Sequence, residues 1–449
     1  MSAVTDLLAK LAERGVRLSP DGERLRVRGP RDALDASDTQ ALRLHKAEIL
    51  SLLRTQASTT AGPIMPPLSR PARLPLAFAQ ERLWFLAQLE QGVSAYNLTL
   101  LLHLQGPLDA TALGDALAIV VSRHELLRTR FPATDGIPEQ CIDAKIEIPL
   151  EQLDFGDLPR GERLEAARTV LAERAAEPYD LSCGPLLRAA LARLDDADHV
   201  LLLGTHHILA DGWSLGLLIG ELDTIYRARI DGRELDLPRT PLQYADFALW
   251  QRRRAEGADW QCQLEWWREQ LAGVPTLIGL PTDRPRPSVQ DASVASLPLR
   301  LDLETSEHLE QLGRQHGATL FQVMLALWVL LLRRYSDEDD MVIGTPVANR
   351  HYPGLEQLVG CLVNTLPLRA DLGADPSFVT LLGRLRHTTL EAYAHQDIPV
   401  EQIVNVIAAE RSLSHAPLFQ VMLTVEYADS HPAARDYALG PSLIHISER

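Results

Sequence analysis

Cysteine is scarce and scattered. The 449-residue chain has four, at positions 141, 183, 262 and 361, with no CxxC pair and no Cys/His pair at metal-finger spacing. This excludes a zinc finger and a disulfide framework, and predicts reduced cysteines, no metal and a cytoplasmic location. Long hydrophobic runs are also missing. The most apolar stretch, residues 320–332, is interrupted by Gln322; it is too short to span a bilayer and reads as a buried helix. Asp6 breaks the start of the chain, so no signal peptide is read there. Positive charge is in deficit, with 44 Lys and Arg against 60 Asp and Glu, net −16. An acidic chain is a poor candidate for nonspecific nucleic-acid binding, so neither nucleic acid nor membrane is an expected partner. No repeat of 20–50 residues is visible. Apolar residues at 46% and charged residues at 23% exclude a mostly disordered chain.

The charge is unevenly placed. Residues 1–60 hold ten Lys/Arg and eight Asp/Glu, leaving −18 on the rest, which marks a separate module. In that module Val4, Leu7, Leu8 and Leu11 recur at helical spacing, with Gly15 as a stop. Residues 16–18 and 25–27 are strand candidates joined by turn chemistry at 19–22, a hairpin. Arg24, Arg26 and Arg28 alternate with Leu25 and Val27, and period two puts the three arginines on one face. A helix then runs from about Ser37 to Arg54. Residues 55–75 contain five prolines and read as a linker. Beyond it, strand-like runs (200–204, 341–345) alternate with helical ones (113–121, 215–230, 319–335), an α/β texture. A length of about 375 residues suggests two lobes rather than one core.

The most informative stretch is residues 199–214. An apolar strand runs into His206 and His207, then Asp211, Gly212 and an amphipathic helix. Histidine is the side chain best suited to move a proton near neutral pH. Asp211 could orient an imidazole, cap the helix or pair with an arginine, and Gly212 would permit the turn into the helix. A lone histidine pair at a strand end is ordinarily a surface or core feature. The HHxxxDG spacing is sharper, with a chance occurrence on the order of one in a thousand for average residue usage.

HHILADG resembles the HHxxxDG signature of condensation domains of nonribosomal peptide synthetases, a fold related to chloramphenicol acetyltransferase. Further signatures of that family occur in order: Phe78, Gln80, Arg82 and Trp84; Arg123, His124, Glu125, Arg128 and Thr129; Tyr244, Asp246 and Trp250; Asp283 and Arg284; Val359, Gly360, Asn364 and Thr365; His395, Gln396, Asp397 and Pro399; Pro417, Phe419 and Gln420. The resemblance covers about residues 72–430, and residues 1–54 resemble the N-terminal docking domains of the TubC type. It implies an αββαα docking domain (1–54), the linker (55–75) and a two-lobed chloramphenicol acetyltransferase-like domain (76–449, lobes at about 76–250 and 251–449) with the active site between lobes.

The resemblance implies amide formation, in which a carrier-bound aminoacyl amine attacks an aminoacyl or peptidyl thioester on an upstream carrier. The chain would bind no cofactor of its own and act on phosphopantetheine thioesters carried by donor and acceptor carrier proteins. His207 carries the catalytic role, as a base or as a group that positions the amine. Both make physical sense, since an α-ammonium must lose a proton and two tethered reactants gain from orientation. His206 is then structural, and Asp211 an anion paired with Arg128, Arg284 or Arg286. Asn364 and Thr365 resemble a loop bridging the lobes near the channel. Trp84, Trp250, Trp266 and Trp267 are expected in the core. Arg24, Arg26 and Arg28, if not simply a solvated face, would attract the acidic C-terminal tail of an upstream synthase subunit, which a strand edge could accept. Trp84, Phe85, Ala95, Tyr96 and Asn97 look like the branch that takes L-configured donors.

Two alternatives stand beside this reading. Residues 212–216 match GxSxG, which would make Ser214 a hydrolase nucleophile, although the strand ends too early for such an elbow. A noncatalytic, carrier-recruiting relative is the other. Residues 442–449 do not resemble the family's continuation. The sequence therefore predicts a truncated second lobe whose Phe419, Val421 and Leu423 lack cover, with low solubility and activity.

Overall fold

The structure is a computed structural model. It describes residues 17–21, 24–28 and 442–443, and residues 64–425 with breaks at 65, 68, 90–93, 239, 241, 290–294, 408–411 and 413. The helices expected at 4–11 and 37–54, and residues 55–63 of the linker, lie outside the described residues. Within the N-terminal module, β1 (Arg17–Asp21) and β2 (Arg24–Arg28) pair antiparallel with Asp21 opposite Arg24. The hairpin is therefore longer than expected, and Ser19–Asp21 belongs to the strand rather than the turn.

After α1 (Phe78–Leu89), the first lobe is built on β3 (Asn97–Gln105), β4 (Leu150–Asp154), β5 (Leu187–Asp195) and β6 (Asp198–His206), with β9 (Ser442–Leu443) on one edge. The spatial order is β9-β3-β6-β5-β4; only β4 and β5 run parallel. The central strands are almost continuously apolar because both faces are covered. Leu100, Leu102, Leu191, Leu201 and Leu203 point to one face, under α2 (Ala110–Arg123) and α4 (Gly212–Ile230). The alternate residues Leu101, Ala190, Ala192, Val200 and Leu202 meet Ala167 and Leu171 of α3 (Arg160–Ala176) on the other.

The second lobe pairs β7 (Asp340–Val347) with β8 (Asn364–Asp371) against α8 (Leu320–Ser336) and α9 (Phe378–Ala394), with α7 (Leu303–Gln315) packed on α8. Thr319 and Gln322 close a capping box at the start of α8. Val323, Leu325, Ala326, Val329 and Leu332 of that helix are buried, while Leu327 and Leu331 are exposed. Among the described residues no single helix is long and apolar enough to cross a membrane. Residues 421–423 add to the free edge of β7: the Gly344 amide donates to Val421 (3.0 Å) and the Leu423 amide to Gly344 (2.9 Å). Phe419, Val421 and Leu423, expected to lack cover, pack on the second core. Residues 442–443, which do not resemble the family's continuation in sequence, lie on the edge of the first sheet.

The lobes interlock. α5 (Tyr244–Arg254) buries Tyr244 and Phe247 in the first core, and α6 (Ala258–Gln270) buries Trp260 and Trp267 in the second. The segment between β7 and β8 crosses back, placing Tyr352, Leu355, Leu358, Val359, Cys361 and Leu362 in the first core. Gly360 makes this crossing possible, because a Cβ there would lie 1.9 Å from the Tyr244 ring. Of the four expected core tryptophans Trp267 is fully buried, and Trp84, Trp250 and Trp266 are partly buried against the cores.

Candidate active site

The two histidines sit where β6 leaves the sheet. The His206 amide donates to Leu186 and the His207 amide to Tyr96 (2.8 Å), so the backbone stays tied to the sheet as the strand ends. His206 is buried, and its Nδ1 accepts the Ile208 amide at 3.1 Å. Burial, with the neighbouring His207, lowers its pKa to about 4. It is therefore a neutral buttress of the turn. His207 is half-buried and its pKa is also lowered, chiefly by burial, with the carbonyls of His207 and Ala210 and the charge of Asp211 opposing. Its imidazole is neutral near pH 7 and can accept a proton or donate a hydrogen bond. Its Nδ1 lies 3.5 Å from Cys361 Sγ.

Asp211 does not face His207. Fully buried, it caps α4 through the Ser214 amide (2.8 Å), accepts the Ser214 hydroxyl (2.7 Å) and the Leu362 amide (3.1 Å), and pairs with Arg350 Nη2 at 2.9 and 3.0 Å. It is thus a cap and an ion-pair partner at once. The arginine is none of those expected. Arg128 bonds the Asp143 carbonyl, and Arg284 and Arg286 are exposed. Arg350 is 139 residues from Asp211 along the chain. It also donates to the carbonyls of Leu355, Leu358 and Gly360 and so fastens the crossing segment.

Gly212 is the first residue of α4. Its φ is not left-handed and a Cβ would meet nothing within 4 Å, so the backbone there does not require glycine. Ser214 is fully buried, and its hydroxyl is engaged with Asp211, Gly360 and Arg350. The strand stops at His206, eight residues earlier, so the GxSxG match is a helix start, not a nucleophile elbow.

Asn364 and Thr365 open strand β8 rather than forming a loop between lobes. The Asn364 amide donates to Gln396 (2.9 Å) and Ile398 (2.7 Å), and its carbonyl oxygen accepts from Thr365 (2.9 Å) and Val400 (3.1 Å). Beside it lies an open cleft lined by residues of both lobes, among them Arg82, Gln251, Cys361, Asn364 and Glu401. Cys361 joins that cleft to His207. Deeper in the junction, Asp397 accepts from His351 (3.0 Å), Tyr352 (2.8 Å), Arg254 (2.8 Å) and Gln263 (3.1 Å). Burial raises its pKa, but the His351 contact and Arg254 outweigh this and hold it at about 2. Arg350, Cys361 and this network carry no spacing signal in the sequence, although Cys361 and Asp397 stand inside recognised signatures. Among the described residues no three His, Cys, Asp or Glu side chains converge to hold a metal.

Two interlocked α/β lobes with a histidine pair at the end of the first lobe's sheet define the chloramphenicol acetyltransferase-like class. Within it, residues 72–443 match the family model of the condensation domain and residues 4–55 that of the TubC N-terminal docking domain. The chain belongs to the condensation-domain family of nonribosomal peptide synthetases, with a docking module ahead of it. It is 43% identical over 379 residues to a linear gramicidin synthase polypeptide of Brevibacillus parabrevis, covering 84% of this chain and 5% of that one; it therefore spans a small fraction of such relatives. The X-domain from teicoplanin biosynthesis superposes with a TM-score of 0.76 at 33% identity, over 83% of this chain and 82% of the other. The first condensation domain of the calcium-dependent antibiotic synthetase, solved with a substrate analogue, gives 0.62 at 25% identity, over 75% and 78%.

Proposed function

We propose that the chain joins two carrier-bound substrates by an amide bond in nonribosomal peptide synthesis. The observation that carries this is the half-buried, neutral imidazole of His207 where the lobes meet, on a strand end that Asp211, Arg350 and the crossing segment hold in place. The acceptor amine attacks the donor thioester carbon. The C–N bond forms, the C–S bond breaks, the amine loses a proton and the carrier thiolate gains one. Burial keeps His207 unprotonated, so it can take up that proton or hold the amine for attack. The phosphopantetheine arms belong to the partner carriers and enter as substrate. His206, Asp211 and Arg350 act by fixing the strand end.

In this reading residues 1–54 dock an acidic tail of an upstream subunit through the hairpin bearing Arg24, Arg26 and Arg28, residues 55–75 link, and residues 76–449 condense. The setting is cytoplasmic, without membrane or nucleic acid. The test is transfer between two loaded carrier proteins, followed by mass spectrometry. The wild-type chain forms the amide, and His207→Ala loses at least about a hundredfold in rate, the usual scale for a proton-transfer group. A folded wild-type chain that binds both carriers but transfers nothing would make it a recruiting domain instead.

A further inference from the structure

The structure assigns to Cys361 the role of positioning residue for His207: its side chain holds Nδ1 of the imidazole, leaves Nε2 as the reacting nitrogen, and connects the buried Asp211–Arg350 clamp to the reaction centre. The inference rests on the reading of His207 given above.

Asp211 acts on His207 through its charge, and neither it nor Arg350 hydrogen-bonds the imidazole, so holding the ring in place needs a further contact. The crossing segment supplies one. Gly360 donates its amide to Ser214 Oγ at 3.0 Å and its carbonyl accepts from Arg350. The Cys361 carbonyl accepts the Tyr244 hydroxyl at 2.6 Å. The Leu362 amide donates to Asp211 at 3.1 Å. Three successive residues are therefore pinned by their backbone to α4, α5 and Arg350, and the middle one places its sulfur 3.5 Å from His207 Nδ1. Gly360 adds a steric limit, because its Cα faces the Tyr244 ring with no room for a side chain. Such fixation on both sides is what a supporting contact needs, since a reacting group must be held to within about half an ångström.

The thiol suits the task chemically. Burial pushes its pKa up to about 12, so beside a neutral imidazole it remains a neutral S–H. A thiol is a weak donor and a weak acceptor. Its contact at Nδ1 selects one tautomer without placing a charge next to the amine. With Nδ1–H directed at the sulfur, Nε2 is left unprotonated as the reacting nitrogen.

The test uses the full chain with 15N-labelled histidine and reads the ring-nitrogen shifts of His207, assigned by their loss in His207→Ala. In the wild type one tautomer dominates between about pH 6 and 8. In Cys361→Ala the two nitrogens average, and in Cys361→Ser, whose hydroxyl can occupy the same position, a single tautomer returns. In the transfer assay Cys361→Ala lowers kcat about five- to tenfold, the scale of one modest hydrogen bond. It leaves KM for the loaded carriers unchanged, shifts the pH profile, and is rescued by serine. Identical ring shifts in wild type and Cys361→Ala overturn the inference, as does a serine variant no better than alanine. If the wild type transfers nothing yet Cys361→Ala still loses its tautomer, the amide-forming reading fails and the positioning contact stands.

Discussion

Replacing Arg350 by methionine tests the central clamp most directly. Arg350 and Asp211 have side-chain exposures of 3% and 0%, so neither charge has water to fall back on. Methionine keeps much of the volume and leaves Asp211 with three donors: the Ser214 amide, the Ser214 hydroxyl and the Leu362 amide. It also strips the carbonyls of Leu355 and Leu358 of their guanidinium donor. Removing one partner of a buried ion pair costs about 3–5 kcal/mol, and the three remaining donors put Arg350→Met near the lower end. At about 2.1 cal/mol/K per residue over roughly 350 residues, 3–5 kcal/mol lowers Tm by about 4–7 °C. Arg350→Met with Asp211→Asn should lose less than the sum of the two single variants, because Asn removes the stranded charge and keeps the cap. Urea titration and calorimetry on the four proteins measure this. A loss under about 1 kcal/mol for Arg350→Met, or a double variant equal to the sum, refutes the argument that a desolvated charge pair ties the crossing segment to α4.

Two further outcomes are expected. His206 has a folded-state pKa of about 4, below its ordinary 6.5, so the unfolded chain binds the extra proton; its contribution to stability is complete above pH 6.5 and is lost as pH falls through 6.5 toward 4, amounting to roughly 3 kcal/mol. His206→Asn, which keeps an acceptor for the Ile208 amide, should flatten stability between pH 4 and 6.5, and a slope there equal to wild type would show that another group titrates. Reversing Arg24, Arg26 and Arg28 together should abolish salt-sensitive binding of acidic C-terminal peptides to the N-terminal module, as expected of an electrostatic contact screened over about 8 Å; peptide titrations that give the same affinity for both forms exclude an electrostatic dock.

Much of the local structure around the site was legible in the chain. The run from 200 to 204 announced β6, and the pattern from 215 announced α4. The ordered signatures pointed to the condensation-domain family, which the match over residues 72–443 shows. Misreadings arose where a residue's role is set by something distant. Asn364 was expected in a loop bridging the lobes, yet it opens a strand and satisfies both ends of its amide in residues 396–400 and its own neighbour. Gly212 was expected to permit the turn into the helix, yet a Cβ there would meet nothing; at this site the tight glycine is Gly360, whose limit comes from a tyrosine 116 positions away. Ser214 matched a nucleophile motif of five residues that the early strand end already argued against, and its burial against Asp211, Gly360 and Arg350 agrees.

By itself the sequence determined the elements, their order and the family, because periodicity, capping and signature spacing are short-range properties that each segment carries wherever the chain goes. Only the tertiary structure decided the pairings: Arg350 rather than Arg128, Arg284 or Arg286 on Asp211, and Cys361 on His207. Both depend on the segment between β7 and β8 crossing into the first lobe's core. A guanidinium and a carboxylate 139 residues apart have no local pattern to announce them. They meet because burying Tyr352, Leu355 and Leu358 brings the chain back, and a buried charge must then find its partner there.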